Sequence, residues 1–168
     1  MDQIVETTVN QCKALGVCKK GDKDLSGDIS VERISQLFFK YSDFCIGKNT
    51  PSLDQLRKFR GMVEEYGLYV DDEIKGLRNK ADIALNGECK AMLEYDEYSV
   101  SRLYIRHDSK AAVNVSDFAV VTIDLYDHAN LALAVAGNGA KVIVNKYGDA
   151  KVEYIGQGVI VNNHIKKQ

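Results

Sequence analysis

The chain has 168 residues, 45% of them hydrophobic, enough for one ordinary domain or two small ones with a real core. Residues 1–80 hold 13 basic and 13 acidic side chains and residues 81–168 hold 9 against 11, so neither half is a basic patch that would point to nucleic acid. No run approaches the roughly 20 apolar residues of a membrane span, and the acidic start Met1-Asp2-Gln3-Ile4-Val5-Glu6 lacks the basic and then apolar form of a secretion signal.

The first 67 residues carry apolar side chains at helical spacing. Ile4, Val5, Thr8, Cys12 and Leu15 share one face and stop at Gly16, a favoured residue just past a helix end. Ser30 is placed to cap a second helix with the face Ile34, Leu37, Phe38, Tyr41 and Cys45, closed by Gly47. Thr50 followed by Pro51 reads as an N-cap with proline at the first helical position. It opens a third helix carrying Leu56, Phe59, Val63 and Tyr66 and ending at Gly67. Three short amphipathic helices are expected over 1–67.

From Leu68 the period changes from 3.6 to 2. Leu68-Tyr69-Val70 is a short apolar run that Asp71-Asp72-Glu73 breaks, and that acidic string reads as a solvated junction. Asp82 to Leu85, Cys89 to Tyr95 and Tyr98 to Arg106 read as strands, separated by the turn signals Asn86-Gly87 and Asp96-Glu97. Beyond Arg106 a β-rich run recurs about every ten residues. Its turns are Asp108-Ser109, Ser116-Asp117, Asp127-His128, Gly137-Asn138-Gly139, Gly148-Asp149 and Gly156-Gln157-Gly158, most of them closed by alanine (Ala119, Ala129, Ala140, Ala150).

The inward candidates are Val113, Val115, Val121, Ile123, Leu125, Leu131, Leu133, Val135, Val142, Val144, Val152, Tyr154, Val159 and Val161. The alternate positions, such as Asn114, Thr122, Asp124, Ala132 and Glu153, are small or polar. A run of six residues with a turn of four suits two architectures, an antiparallel meander or sandwich and a β-solenoid whose rungs stack in parallel. Varied turns and uniform aliphatic inward residues favour the solenoid. The expected fold is therefore α+β, with a helical module over 1–67 followed by a β-repeat domain over 68–168.

Four cysteines (Cys12, Cys18, Cys45, Cys89) lack zinc-ligand spacing, and the three histidines all lie beyond Cys89, so buried thiols are expected. Asp22-Lys23-Asp24-Leu25-Ser26-Gly27-Asp28-Ile29 matches the first eight positions of a calcium loop. Arg33 then stands where a bidentate glutamate belongs, which leaves an ordinary polar loop ahead of Ser30. His107-Asp108 and Asp127-His128 lie twenty residues apart, so two stacked half-coils would bring these pairs together. No reaction motif is present, and no catalytic residue, cofactor site or metal ligand is assigned. The interface candidates are Tyr66, Tyr69, Tyr95, Tyr98 and Tyr104, together with the uncapped apolar edge Val159-Ile160-Val161.

Asn10, Cys12 and Gly16, the run Asp43-Phe44-Cys45-Ile46, Pro51-Ser52-Leu53, Tyr66-Gly67-Leu68-Tyr69-Val70-Asp71 and Arg106-His107-Asp108-Ser109 resemble uncharacterised proteins of prophages and mobile elements of gut Bacteroidetes. The repeat also resembles the β-helical domains of bactofilins and adhesin heads. These likenesses imply a phage or mobile-element setting and transfer no catalytic residue.

The expected function is a non-enzymatic structural or binding protein that contacts protein or glycan in a virion or phage–host encounter. It would be made in the cytoplasm, become virion-associated, and assemble as a homodimer or homotrimer without nucleic acid. The alternative is an intracellular effector that binds a host defence protein or sequesters a small ligand.

Overall fold

The computed structural model describes residues 3–164, which divide after Leu68 into a helical unit and a β unit. The helical unit has five α-helices rather than three: α1 (Gln3–Ala14), α2 (Lys19–Asp24), α3 (Val31–Lys40), α4 (Ser42–Gly47) and α5 (Leu53–Lys58). α1 runs as its apolar face dictates and ends ahead of Gly16, which has φ +81°. α2 was not foreseen, because Lys-Lys-Gly-Asp-Lys-Asp has no apolar period; Cys18 caps it, with Sγ accepting from Gly21 N–H.

The expected second helix is two. Ser30 caps α3 as anticipated, but Tyr41 leaves helical geometry (φ −118°, ψ 35°) and both ends α3 and begins α4. The Tyr41 hydroxyl is tied to Asp24 at 2.7 Å, a tertiary bond that periodicity cannot report.

The third helix is shorter than expected and differently capped. Ser52, not Thr50, is its N-cap, in a capping box with Gln55, and Pro51 precedes the cap after a cis peptide bond. α5 ends at Lys58 because the Glu64 carboxylate then accepts from Gly61 N–H (2.6 Å) and Val63 N–H (3.1 Å). A 3₁₀ turn, Glu64–Tyr66, follows and stops at Gly67.

The β unit is a two-sheet parallel solenoid. Its strands are β1 (Leu68–Val70), β2 (Glu73–Arg78), β3 (Asp82–Asn86), β4 (Lys90–Tyr95), β5 (Val100–Ile105) and β6 (Lys110–Val115), then β7 (Val120–Leu125), β8 (Asn130–Val135), β9 (Lys141–Tyr147), β10 (Lys151–Ile155) and β11 (Val159–His164). Odd strands form one sheet in the order β1-β3-β5-β7-β9-β11 and even strands the other, β10-β8-β6-β4-β2. The inter-strand registers are parallel, which a meander forbids. β2 escaped the sequence reading because Glu-Ile-Lys-Gly-Leu-Arg is largely exposed and shows no strong alternation.

Between the sheets lies one aliphatic core. Leu93, Leu103, Ile105, Val113, Val115, Val121, Ile123, Leu125, Val142 and Val144 are at most 1% exposed, and from Val113 onward these are positions that the period-2 pattern assigns inward. Small residues let the coil turn tightly: Cys89, Ser109, Ala119, Ala129 and Ala150 are fully buried at the corners.

The last corner holds two residues in left-handed backbone, Gly156 and Gly158, and each of the nine before it holds one, the geometry that reverses the chain within two residues. On one edge these are Asp71, Gly87, His107, Asp127 and Gly148, and on the other Asn79, Glu97, Asp117 and Gly137. Glycine, Asn, Asp and His are the side chains that tolerate this conformation best. The string Asp71-Asp72-Glu73 is therefore the first corner of the solenoid, with Asp71 Oδ1 accepting from Glu88 N–H (2.9 Å) and Asp72 Oδ2 from Val70 N–H (2.9 Å).

Candidate contact site

Stacking in register turns single side chains into columns, and these columns are what the solenoid displays. On the outward side of the odd-strand sheet, Asn162 Nδ2 donates to Asn145 Oδ1 (3.0 Å) and Asn145 Nδ2 to Asp124 Oδ1 (2.7 Å). Two positions further along the strands, Tyr126, Tyr147 and His164 stack with ring centroids 4.7 and 4.6 Å apart. The ring planes are nearly parallel, at 4° and 14°, so neighbouring faces cover each other.

At the corner between β4 and β5, Tyr98 stacks on Phe118 (5.2 Å, 8°), and both are exposed, at 78% and 57%. Gly139 completes this corner, because a side chain there would lie 2.7 Å from the Phe118 ring and 2.4 Å from Asp117 O. Val100 and Val120 continue the apolar surface beside them.

The structure does bring together the two histidine–aspartate pairs. His107 N–H donates to Asp127 Oδ2 (3.1 Å), Gly87 N–H donates to His107 Nδ1 (3.1 Å), and Asp108 Oδ1 lies 3.6 Å from His128 Nδ1. His107 and Asp127 are half-buried corner residues whose side chains serve the backbone of the neighbouring coil, while Asp108 and His128 are exposed. This is a structural ladder.

The tyrosines singled out from sequence are dispersed. Tyr66 is half-buried in the helical unit, and Tyr69 is half-buried on β1. Tyr95 is an inward core residue, 1% exposed, and burial pushes its hydroxyl pKa upward. Tyr104 is buried on β5, and Tyr98 is the exposed corner residue. Four of the five lie in the solenoid, where phase within the coil rather than spacing along the chain decides the face each occupies.

Val159, Ile160 and Val161 lie on β11, the edge strand of its sheet, as β10 is of the other. In the preceding coils the inward positions Leu131, Leu133, Val142 and Val144 are at most 3% exposed. In the final coil Val152, Val159 and Val161 are only half-buried, and Tyr154 is 49% exposed. The outward Ile155 and Ile160 are 72% and 59% exposed. Among the described residues, the core thus ends on an open apolar rung with two free strand edges.

The helical unit contains an apolar cavity of about 170 Å³, lined among others by Cys12, Ile34, Phe38, Phe44, Leu56 and Phe59. Cys12 and Cys45 are buried, and burial raises the Cys12 thiol pKa despite a contact with Thr50 Oγ1 at 3.7 Å. Cys89 is buried in the solenoid, whereas Cys18 is exposed, contrary to the general expectation of buried thiols.

The calcium-like string does not form a loop around an ion. Asp22 and Asp24 lie in α2, and the Asp24 carboxylate takes hydrogen bonds from Lys40 and Tyr41 and pairs with Arg33 at 3.6 Å. Arg33, at the twelfth loop position, is thus turned onto an oxygen that a calcium ion would need. No cluster of three or more metal-binding side chains occurs among the described residues, and none of their helices is long and apolar enough to cross a membrane. The chain matches no protein-family model, no curated protein and no solved structure.

Proposed function

We propose that the protein is a non-enzymatic structural or binding protein whose solenoid is the contact element and whose final coil is where one copy meets another. The observation that carries this reading is the open rung: inward residues Val152, Tyr154, Val159 and Val161 are uncovered while their counterparts one coil earlier are buried. Unpaired strand edges with an apolar face are covered in stable proteins, and a second copy supplies a matching edge.

The charge pattern of β10 fits a two-fold partner. Lys151 and Glu153 flank the inward Val152 on the outward side of an edge strand. Antiparallel pairing of β10 with its own copy about Val152 sets each Lys151 opposite the partner's Glu153, and both sheets continue across the junction. A dimer is therefore favoured over a trimer. The columns of Asn and Tyr residues and the Tyr98–Phe118 corner then form the sides of a longer, rigid surface suited to protein or glycan contact. The motif resemblance supports a virion or phage–host setting.

Light scattering on the full chain at micromolar concentration tests the reading. A mass near twice 18.7 kDa is expected, and a monomer of 18.7 kDa refutes self-association.

A further inference from the structure

We propose that the cavity of the helical unit binds one small, neutral, largely apolar molecule about the size of a single six-membered ring. This inference is independent of the self-association reading, since it concerns the other unit of the chain.

Volume sets the ligand's size. At about 170 Å³ the cavity matches engineered apolar cavities of roughly 150 Å³ that stay dry and take up benzene. It holds a benzene-type ring with one or two added heavy atoms and excludes an extended lipid.

The lining sets the ligand's polarity. Ile34, Leu37, Phe38, Leu56 and Phe59 are all at most 9% exposed and present aliphatic and aromatic carbon. The polar atoms among the lining residues are already engaged. Thr8 Oγ1 donates to Ile4 O at 2.9 Å, and the Tyr41 hydroxyl donates to Asp24 at 2.7 Å. Cys18 Sγ accepts from Gly21 N–H at 3.4 Å. Water needs two to four polar partners to be held in such a space, and a charged ligand needs a counter-charge. Neither requirement is met, so a neutral ring is the fitting occupant. Cys12 and Cys45 add polarizable sulfur, which packs well against aromatic edges.

The space persists because its walls are fixed from outside. Tyr41 is anchored to Asp24, and Pro51 and Leu56 are set by the Ser52–Gln55 capping box. Phe38 and Phe39 pack edge to face at 5.6 Å, which limits inward rotation. An exposed wall residue, Cys18, marks where the cavity reaches solvent and a ligand enters.

Toluene and benzoate are suitable probes, one neutral and one charged on the same ring. With the wild-type full chain, ¹³C-methyl NMR is expected to show saturable toluene-induced shifts at Ile34, Leu37 and Leu56 and none at Val113, Ile123 or Leu133. Benzoate at equal concentration leaves all six unmoved. Cys45→Met, which fills part of the space, weakens toluene binding at least tenfold. The proposal is overturned by absence of saturation at the Ile34, Leu37 and Leu56 methyls up to the solubility of toluene. Equal shifts in both units, benzoate binding as well as toluene, or unchanged toluene binding in Cys45→Met overturn it as well. The first readout needs no variant, so a Cys45→Met chain that fails to fold leaves the test intact.

Discussion

The backbone N–H of His107 donates to the Asp127 carboxylate at 3.1 Å, one full coil away. Both residues occupy the left-handed corner position of their coils, with φ of 58° and 59°. The residue that makes a corner possible therefore also closes the corner stacked beside it. His107 repeats the arrangement by accepting from Gly87 N–H, which requires its Nδ1 to be unprotonated and its proton to sit on Nε2. Asp117 does the same for Glu97 N–H on the opposite edge (2.9 Å).

Two substitutions at Asp127 separate these roles. Asp127→Gly keeps the left-handed freedom but loses the acceptor, and is expected to cost about 1 kcal/mol. Asp127→Ala loses both, and is expected to cost about 2–3 kcal/mol. Urea unfolding of the two variants measures the difference, and equal losses would show that backbone conformation contributes nothing at this corner.

The core register gives a sharper contrast. Ile123 is fully buried, whereas its neighbour Thr122 faces outward between Arg102 and Ile143. Ile123→Asp buries an unpaired charge and is expected to abolish cooperative unfolding of the solenoid. Thr122→Asp is expected to stay within about 0.5 kcal/mol of wild type. Circular dichroism on heating reads both, and a Thr122 variant more damaged than the Ile123 one would mean the register is shifted by one residue.

Acid and alkali act on the helical unit through Asp24 and Tyr41. Hydrogen bonds from Lys40 and then Tyr41 hold the Asp24 carboxyl at about 2, below its usual 3.8. A folded-state value below the unfolded one means this stabilisation is present above about 3.8 and fades as pH falls through about 2. Tyr41 is pushed up to about 12, chiefly by its bond to Asp24, so its contribution holds below its usual 10 and fades as pH rises through about 12. Asp24→Asn is expected to flatten the acid limb of a helix-content titration between these two carboxyl values. An unchanged limb in that variant would assign the acid sensitivity to other carboxylates of the helical unit.

Charge exchange tests the geometry of the proposed two-fold contact. Lys151→Glu alone and Glu153→Lys alone each set like charges opposite one another across β10 and its copy, and both are expected to weaken the dimer several-fold. The double exchange restores opposite pairs and is expected to return dimerisation to near the wild-type level. Concentration-dependent light scattering distinguishes these cases, and a double variant as weak as the singles would place another residue on the axis.

Legibility from sequence followed burial. Between Val113 and Val144 the alternation of aliphatic and polar residues named the inward face correctly, because each inward side chain there is closed in from both neighbouring coils. Where covering fails, the pattern misleads: Tyr154 and Val159 read as core yet lie on the last rung, since alternation carries no information about where stacking stops. In the helical unit Gly16 and Gly47 mark true helix ends, but Gly67 does not end α5, which stops at Lys58. Of the bonds that redirect the chain there, Tyr41 to Asp24 joins residues seventeen apart, beyond any local window, while Glu64 to Gly61 is local but carries no apolar period to read. The tyrosine grouping dissolved for a related reason, since phase within a coil, rather than distance along the chain, decides which face a residue occupies.

The constant register of the middle strands also determines how such a chain can change length. Lys90, Lys110 and Asn130 are successive partners at intervals of twenty residues, and the corner residues Gly87, His107 and Asp127 keep the same interval. Excising residues 110–129 would join Ser109 to Asn130 with each flanking strand meeting a neighbour of the same phase. The terminal coils lack this freedom, because Val142 to Val159 spans seventeen residues and Val120 to Lys141 twenty-one. Length is therefore quantised in this unit: it lengthens or shortens by whole copies of its middle coil, about 4.8 Å at a time, while its two ends remain fixed endings.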